Sequence, residues 1–590
     1  MMMNKKELHS FHIPVMGLAY TVDTPLRVAH YGIDSVISIV DDELLEKMRA
    51  FFCRQYGLAY TEISTKMTDY RANRITNYLN LMNDLVKQKF SWFCNQLQTN
   101  KEELDKFIAM LPKTSEIRKG LLELPHFSAE KAKKFIEEHL SPGAIDVNIM
   151  TKVDKTNYLS NVALPQEYND AHAALRGFAN SNLNSSLVLS AGMNPSLYSY
   201  AATFKDFILR DIKASGKKIV LKVSDFRSAM VQGCFLAKKG IWVSEFRIES
   251  GLNCGGHSFA ANGLLLGPIL EEFKQKKDEL IESMRSLLLK NRDEKEMNDF
   301  SFNVRITVQG GVGTSEEHQF LLDHYAIDAV GWGSPFLLVP EATAVDKETR
   351  NLLAKSSPNE LYRSNLSPLG VPFNAIKGMS NDFYKSDRIS KGKPGSSCPK
   401  KLLALHQEFG ENGICTASRK YQQKKIAEIE NLNLNGNESF NYCNTIVEKA
   451  CLCVGLANPV YIEKGIAIKG EEQGVVICPG PNIAYFNKEV SLAEMVGHIY
   501  GYLSIMNDAS RPHMFIKELE LNIDCLKKEI EAETMLGNIK TKQWQLFKDN
   551  LLAGISYYEV LFTELLYKNN DDIQNKLNYY KNEVSCIDVK

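Results

Sequence analysis

The chain has 590 residues, 44% of them hydrophobic and 24% charged, and a formal net charge of -1. That composition fits an ordinary globular chain of about two to four domains of roughly 100–200 residues each. It gives no basic footprint for a nucleic-acid partner.

No run of about 18 uncharged apolar residues is present, so no membrane-spanning helix is expected. The opening residues, MMMNKKELHSFHIPVMG, carry two lysines with no apolar run behind them, so no signal peptide is expected either. Twelve cysteines spread over this length are not a disulfide framework. Reduced thiols in a cytoplasmic protein are the expectation.

Eight short apolar runs follow in chain order. They are IPVMGLAY (13–20), DSVISIV (34–40), IDVNIM (145–150), SLVLSA (186–191), KIVLKV (218–223), IWVSEF (241–246), VRITVQ (304–309) and DAVGWG (328–333). Most are apolar on both faces, as buried parallel strands are. Helical patterns alternate with them, for instance PQEYNDAHAALRGFANS, AATFKDFILRDIKASG, SDFRSAMVQGCFLAKKG and TSEEHQFLLDHYAI. Strict alternation of eight strands with helices predicts a (β/α)8 barrel. A doubly wound open sheet is the alternative, because periodicity does not report closure.

Two gaps exceed a plain crossover. Residues 41–144 read as a helical insertion after the second strand, and residues 264–300 as one long or broken helix before the seventh. There is no internal repeat and no low-complexity tract.

The seventh run stops at RITVQGGVGTSEEH, where three glycines precede a helical segment. Glycine lets backbone N–H groups approach an anion, and a helix N-terminus adds positive partial charge. The plainer account is a tight turn with Ser315 as N-cap. In such barrels a phosphate often binds at the ends of strands seven and eight. Gly310, Gly311 and Gly313 end one, and Gly331, Gly333 and Ser334 end the other. This context favours the phosphate. The sixth run leads into ESGLNCGGHSFA, which places Gly255, Gly256 and His257 at the barrel's active face. A turn with a structurally satisfied histidine is the competing account.

Together these segments resemble the FMN-dependent barrels that include nitronate monooxygenases (2-nitropropane dioxygenases) and flavin-type enoyl-acyl carrier protein reductases. The resemblance runs in order through GLAY (17–20), VNIM (147–150), SAGMNPSLY (190–198), GGH (255–257), QGGVGTSEE (309–317) and AVGWGSPFLLVPEA (329–342). It covers roughly residues 11–355. It departs from the family pattern at TVDTPLRVAHYG after the first strand, at Gln309 before the glycine pair, and at Cys254 before GGH.

The resemblance implies FMN, with its phosphate on Gly310, Gly311, Gly313, Gly333 and Ser334. The ring would lie near Gly17, Leu18, Asn148 and Gly256, and His257 would be the catalytic acid–base or substrate-orienting group. The unperturbed imidazole pKa of about 6.5 suits proton transfer near neutrality. The implied activity is oxidation of a small organic substrate of nitronate-monooxygenase type, with O2 or NAD(P)H as redox partner. A flavin enoyl-thioester reductase and a barrel that only binds are the alternatives.

Residues 356–590 form a second region outside the resemblance. Its loops carry Cys398, Cys415, Cys451 and Cys453, a candidate set for Zn or an Fe–S cluster, with Cys443 and Cys478 as rival ligands. Small buried packing residues are the competing account. From Glu494 onward the pattern is helical.

Overall fold

The computed structural model describes residues 7–160, 162–208, 216–257, 262–290, 302–432, 436–468, 473–507, 510–535, 540–564 and 570–589. Eight parallel strands close into a barrel in the order of the chain. They are β1 (Phe11–Ile13), β2 (Asp34–Ser38), β3 (Ile145–Ile149), β4 (Ser186–Leu189), β5 (Lys218–Val223), β6 (Val243–Glu249), β7 (Arg305–Gln309) and β8 (Ala329–Gly331). Phe11 lies beside Val330 and His12 beside Asp34, so β1 pairs with both β8 and β2. The open-sheet alternative is thereby excluded. Pairing along β1 stops at Ile13 because Pro14 has no N–H to donate. The expected first strand, 13–20, therefore starts two residues late, and Gly17–Tyr20 form the turn above the strand end.

The inserted helices between β2 and β3 form an outer layer on the barrel. The helix Tyr70–Thr99 buries Ile75, Tyr78, Leu79, Met82, Leu85 and Val86, a spacing of three and four that makes one apolar stripe. Thr76 donates to the Gly177 carbonyl at 2.8 Å, and Tyr78 to that of Val22 at 2.8 Å. Arg71 and Arg74 both grip Asp42, at 2.6 and 2.9 Å. The second gap contains the helix Leu266–Leu289; its expected continuation through 291–300 lies outside the described residues, as do 209–215 of the pattern before β5.

The N-terminal end of the barrel is closed by charge. Glu245 accepts from Arg247 at 2.7 Å and from Thr307 at 2.6 Å. Burial alone would raise the Glu245 carboxyl, yet Arg247 and Arg305 hold it down at about 2. The large cavity lies at the opposite end.

One continuous apolar cluster runs from Leu8 to Val589, joining the C-terminal region to the barrel. After a hairpin of β9 (Leu361–Ser364) and β10 (Phe373–Ile376), loops and short helices arch over the barrel mouth. Tyr20 donates to the Val476 carbonyl at 2.9 Å, and Arg27 reaches Glu463 at 3.0 Å. The helices Met514–Met535, Thr541–Glu564 and Asn570–Ser585 pack on the body. Among the described residues no single helix is long and apolar enough to cross a membrane.

Glu518, 4% exposed, accepts the Leu266 N–H at 2.8 Å, and burial pushes its pKa up to about 7. The folded state therefore keeps a proton that the unfolded state loses near pH 4.3. Its contribution is fully present below that pH and is lost as pH rises to about 7. The thermal midpoint of Glu518→Gln relative to the parent should therefore climb between pH 4.5 and 7.5. A difference that does not change with pH would refute the assignment.

Candidate functional site

A cavity of about 370 Å3 opens at the C-terminal ends of the barrel strands, a size typical of small-molecule sites. Its walls come from Gly17 and Leu18 after β1, Ser38 at the end of β2, and Asn148 and Met150 at the end of β3. Ser190 follows β4, Lys222 and Ser224 end β5, and the β6 loop supplies Glu249, Asn253, Cys254 and His257. The roof is apolar and belongs to the C-terminal region: Leu369, Val371 and Phe373, then Leu402, Leu403, Leu452 and Leu456. A reacting group here is screened from water on the side away from the barrel.

His257 reaches the cavity from its rim. Its Nε2 is 2.7 Å from Ser367 Oγ, and its ring meets Phe373 edge-on at 5.4 Å. Burial pulls its pKa down to about 4. The expected value near 6.5 is thus corrected: the imidazole is neutral at pH 7 and offers a hydrogen bond, not a stored proton. The role of Gly256 also changes. It holds φ +84°, and a Cβ there would lie 2.3 Å from the Phe373 ring. Its missing side chain admits the β9–β10 hairpin, whose Asn374 N–H donates to the Gly256 carbonyl at 2.7 Å.

Gly17, Leu18 and Asn148 line the cavity. Among the described residues, Asn148 Oδ1 is buried with no partner. A buried acceptor left open is costly, so it marks a place where a ligand N–H or a water belongs. The wall also holds an ion pair, Lys222–Glu249, that no sequence motif marks. Glu249 Oε1 accepts from Lys222 Nζ at 3.0 Å, Asn253 Nδ2 at 2.7 Å and Gln309 Nε2 at 2.7 Å. Gln309, a departure from the family pattern, is explained by this bond. The available signal was a lysine inside the apolar run KIVLKV, one residue from the active end of its strand.

The two glycine-rich strand ends do not line the cavity. The chain itself fills the crevice between them. Asn482 Nδ2 donates to the carbonyls of Gly311 and Val312, at 2.8 and 2.6 Å. Arg511 donates to the Gly311 carbonyl at 2.6 Å, Asn482 Oδ1 at 2.9 Å and Glu317 Oε1 at 2.7 Å. The anion at the Gly313 N–H is the Glu317 carboxylate, at 2.9 Å. Ser334 Oγ accepts the Gly480 N–H at 2.9 Å, and Gly333 faces Cys254. The helix that follows is capped by Thr314, not Ser315. The open acceptor of Asn148 and the cavity above it suit a flat flavin ring. Gly310, Gly311, Gly313, Gly333 and Ser334 do not offer its phosphate an open cradle, because residues 479–482 and Arg511 occupy that space. Gly311 stands at φ +91° with Leu252 Cδ1 2.5 Å from its would-be Cβ. Gly311→Ala should therefore lower the thermal midpoint, and a midpoint equal to the parent's would show the turn to be loose.

The four roof cysteines do gather. Cys398 is hydrogen-bonded to Cys415, with Cys453 beside both and Cys451 beside Cys453. The Cys398 bond and then burial raise the Cys415 thiol, and burial and neighbouring thiols raise that of Cys453. Among the described residues, no three or more His, Cys, Asp or Glu side chains are placed to hold a metal ion, so the arrangement does not support the zinc or Fe–S expectation. Cys443 lies apart on the helix Gly436–Val447, and Cys478 is packed by Tyr20 and Cys254. Cys254 does reach the cavity, but burial pushes its pKa up to about 11.

No protein-family model matches the chain, and no curated protein matches it. The chain is similar in part to solved structures. The enoyl reductase domain of MlnA from the macrolactin cluster of Bacillus amyloliquefaciens is 15% identical over 63% of this chain and 84% of its own, with TM-score 0.35. FabK from Thermotoga maritima is 12% identical over 88% of this chain and 97% of its own, with TM-score 0.35. A mutant of the same FabK is 11% identical over 63% and 78%, with TM-score 0.30. These likenesses concern the fold alone.

Proposed function

We propose that the chain is a flavin-dependent oxidoreductase that acts on a small organic substrate at the barrel mouth, of nitronate-monooxygenase type. The observation that carries this reading is convergence. Gly17, Leu18, Asn148 and His257, from three separate strand ends, border one roofed cavity. A bound flavin would supply the redox chemistry. The phosphate end would have to be held elsewhere than on the β7 and β8 turns.

The chain's own residues do the rest. Asn148 Oδ1 would accept a hydrogen bond from a bound flavin. His257 Nε2 is hydrogen-bonded to Ser367 Oγ; in the tautomer with its hydrogen on Nδ1, the ring would donate it to a substrate oxygen. The leucines of the roof exclude water, which strengthens every polar contact beneath them. That apolar roof equally suits an acyl chain and favours an enoyl-thioester reductase as the second reading.

A visible absorption spectrum of the purified protein, before and after incubation with FMN, tests the proposal. Flavin bands that stay with the protein through gel filtration are expected. A protein that remains colourless after loading is a binding barrel. Turnover of a nitronate with O2, against anaerobic NAD(P)H oxidation with an enoyl thioester, separates the two enzyme readings.

A further inference from the structure

We infer that Lys222 is the substrate-anchoring residue of the cavity, and that it takes the C=O oxygen of an otherwise apolar small molecule. This rests on the cavity being the substrate site, and does not depend on which redox group it holds.

A lysine at this position is expensive. The other late residues of β5, Val220, Leu221 and Val223, are buried and apolar, and Lys222 is itself only 9% exposed. Taking an ammonium out of water costs several kcal/mol unless it is paired. A leucine would close the strand at no such cost, so stability does not account for the lysine.

Its pairing is partial. An ammonium has three N–H donors, and among the described residues the one partner of Lys222 Nζ is Glu249 Oε1 at 3.0 Å. That oxygen is already shared by Asn253 and Gln309, which hold the carboxylate still. Glu249 thus orients Lys222 and leaves two of its donors directed at the cavity. Lys152 lines the same cavity. The opposite surface is the leucine roof. The Lys222 ammonium facing that apolar vault recognises a molecule with a carbonyl-type oxygen at one end and hydrocarbon at the other.

Calorimetric titration with hexanoate, 2-heptanone and toluene tests this on protein whose flavin content has been measured separately. Hexanoate and 2-heptanone represent the charged and neutral sources of a C=O oxygen, and toluene reads the apolar vault alone. Lys222→Met should weaken at least one oxygen-bearing probe by about tenfold or more, as loss of a hydrogen bond to a charged group does, and leave toluene within about twofold. The probe that loses more identifies the class. Lys222→Met strands a carboxylate, so the double variant Lys222→Met/Glu249→Leu removes both charges and should show the same selective loss. The inference is overturned if neither oxygen-bearing probe binds the parent protein, if the toluene affinity falls in parallel, or if only inorganic phosphate binding depends on Lys222. A protein without flavin that keeps the probe pattern would fail the redox proposal and leave the anchor standing.

Discussion

Arg511→Met is expected to destabilise the fold by about 3–5 kcal/mol, as breaking a buried ion pair from one side does. Arg511 and Glu317 side chains are each 4% exposed. Methionine fills much of the guanidinium's volume but, among the described residues, leaves the Glu317 carboxylate with the N–H groups of Gly313 and Met514, at 2.9 and 2.8 Å. It also leaves the Gly311 carbonyl with Asn482 Nδ2 alone and removes the donor to Asn482 Oδ1, so the segment that closes the β7–β8 crevice is held less firmly. Replacing both partners, Arg511→Met with Glu317→Met, should recover part of the loss, because no charge is then stranded. Denaturant unfolding measures both variants, and a single variant within 1 kcal/mol of the parent would show the pair to be dispensable.

The acid limb carries the same information. Burial acts to raise Glu317, but Arg511 and His513 more than offset it and hold its pKa below the usual range. Its stabilisation is present above the unfolded value of about 4.3 and is lost as pH falls through the lower folded value. The gap between parent and Glu317→Gln should therefore close on acidification below about pH 4.

The eight strands were legible because most are short runs apolar on both faces, a local property. Closure was not, since it rests on Phe11 lying beside Val330, a pairing far apart in sequence. His257 and Asn148 were legible for the same local reason, standing at the ends of such runs. The glycines after β7 misled because their cause is remote. They admit Leu252 and the Asn482–Arg511 clasp, and Asn482 is 171 residues from Gly311. A glycine-rich turn reports only that something comes close to the backbone, an anion or another stretch of chain. Lys222 and Glu249 were visible, but a lysine in a strand reads as a solvated end until its side chain is known to point inward. The roof cysteines cluster because they share one packed layer with Leu402 and Leu452, which spacing alone cannot distinguish from a ligand set.

His257→Ala is expected to slow the first turnover by about 10²–10³-fold, the usual effect of removing one hydrogen-bond donor aimed at developing charge. The imidazole borders the cavity with its Nε2 hydrogen-bonded to Ser367 Oγ, and the proposed function assigns Nδ1 to the substrate. With its pKa near 4, the ring stays neutral through the working range. The rate should therefore show no inflection near pH 6.5 that His257 accounts for. His257→Gln, which keeps a donor, should recover much of the rate. One effect is common to a structural and a substrate-facing histidine. Its lowered pKa means that the unfolded state gains a proton first as pH falls through about 6.5. Stability is then lost between that pH and about 4, and His257→Ala would escape this loss. An alanine variant with lower thermal midpoint or flavin content but an unchanged rate per bound flavin would assign His257 to the turn. A slowed rate, intact midpoint and partial recovery with glutamine together would assign it to the substrate.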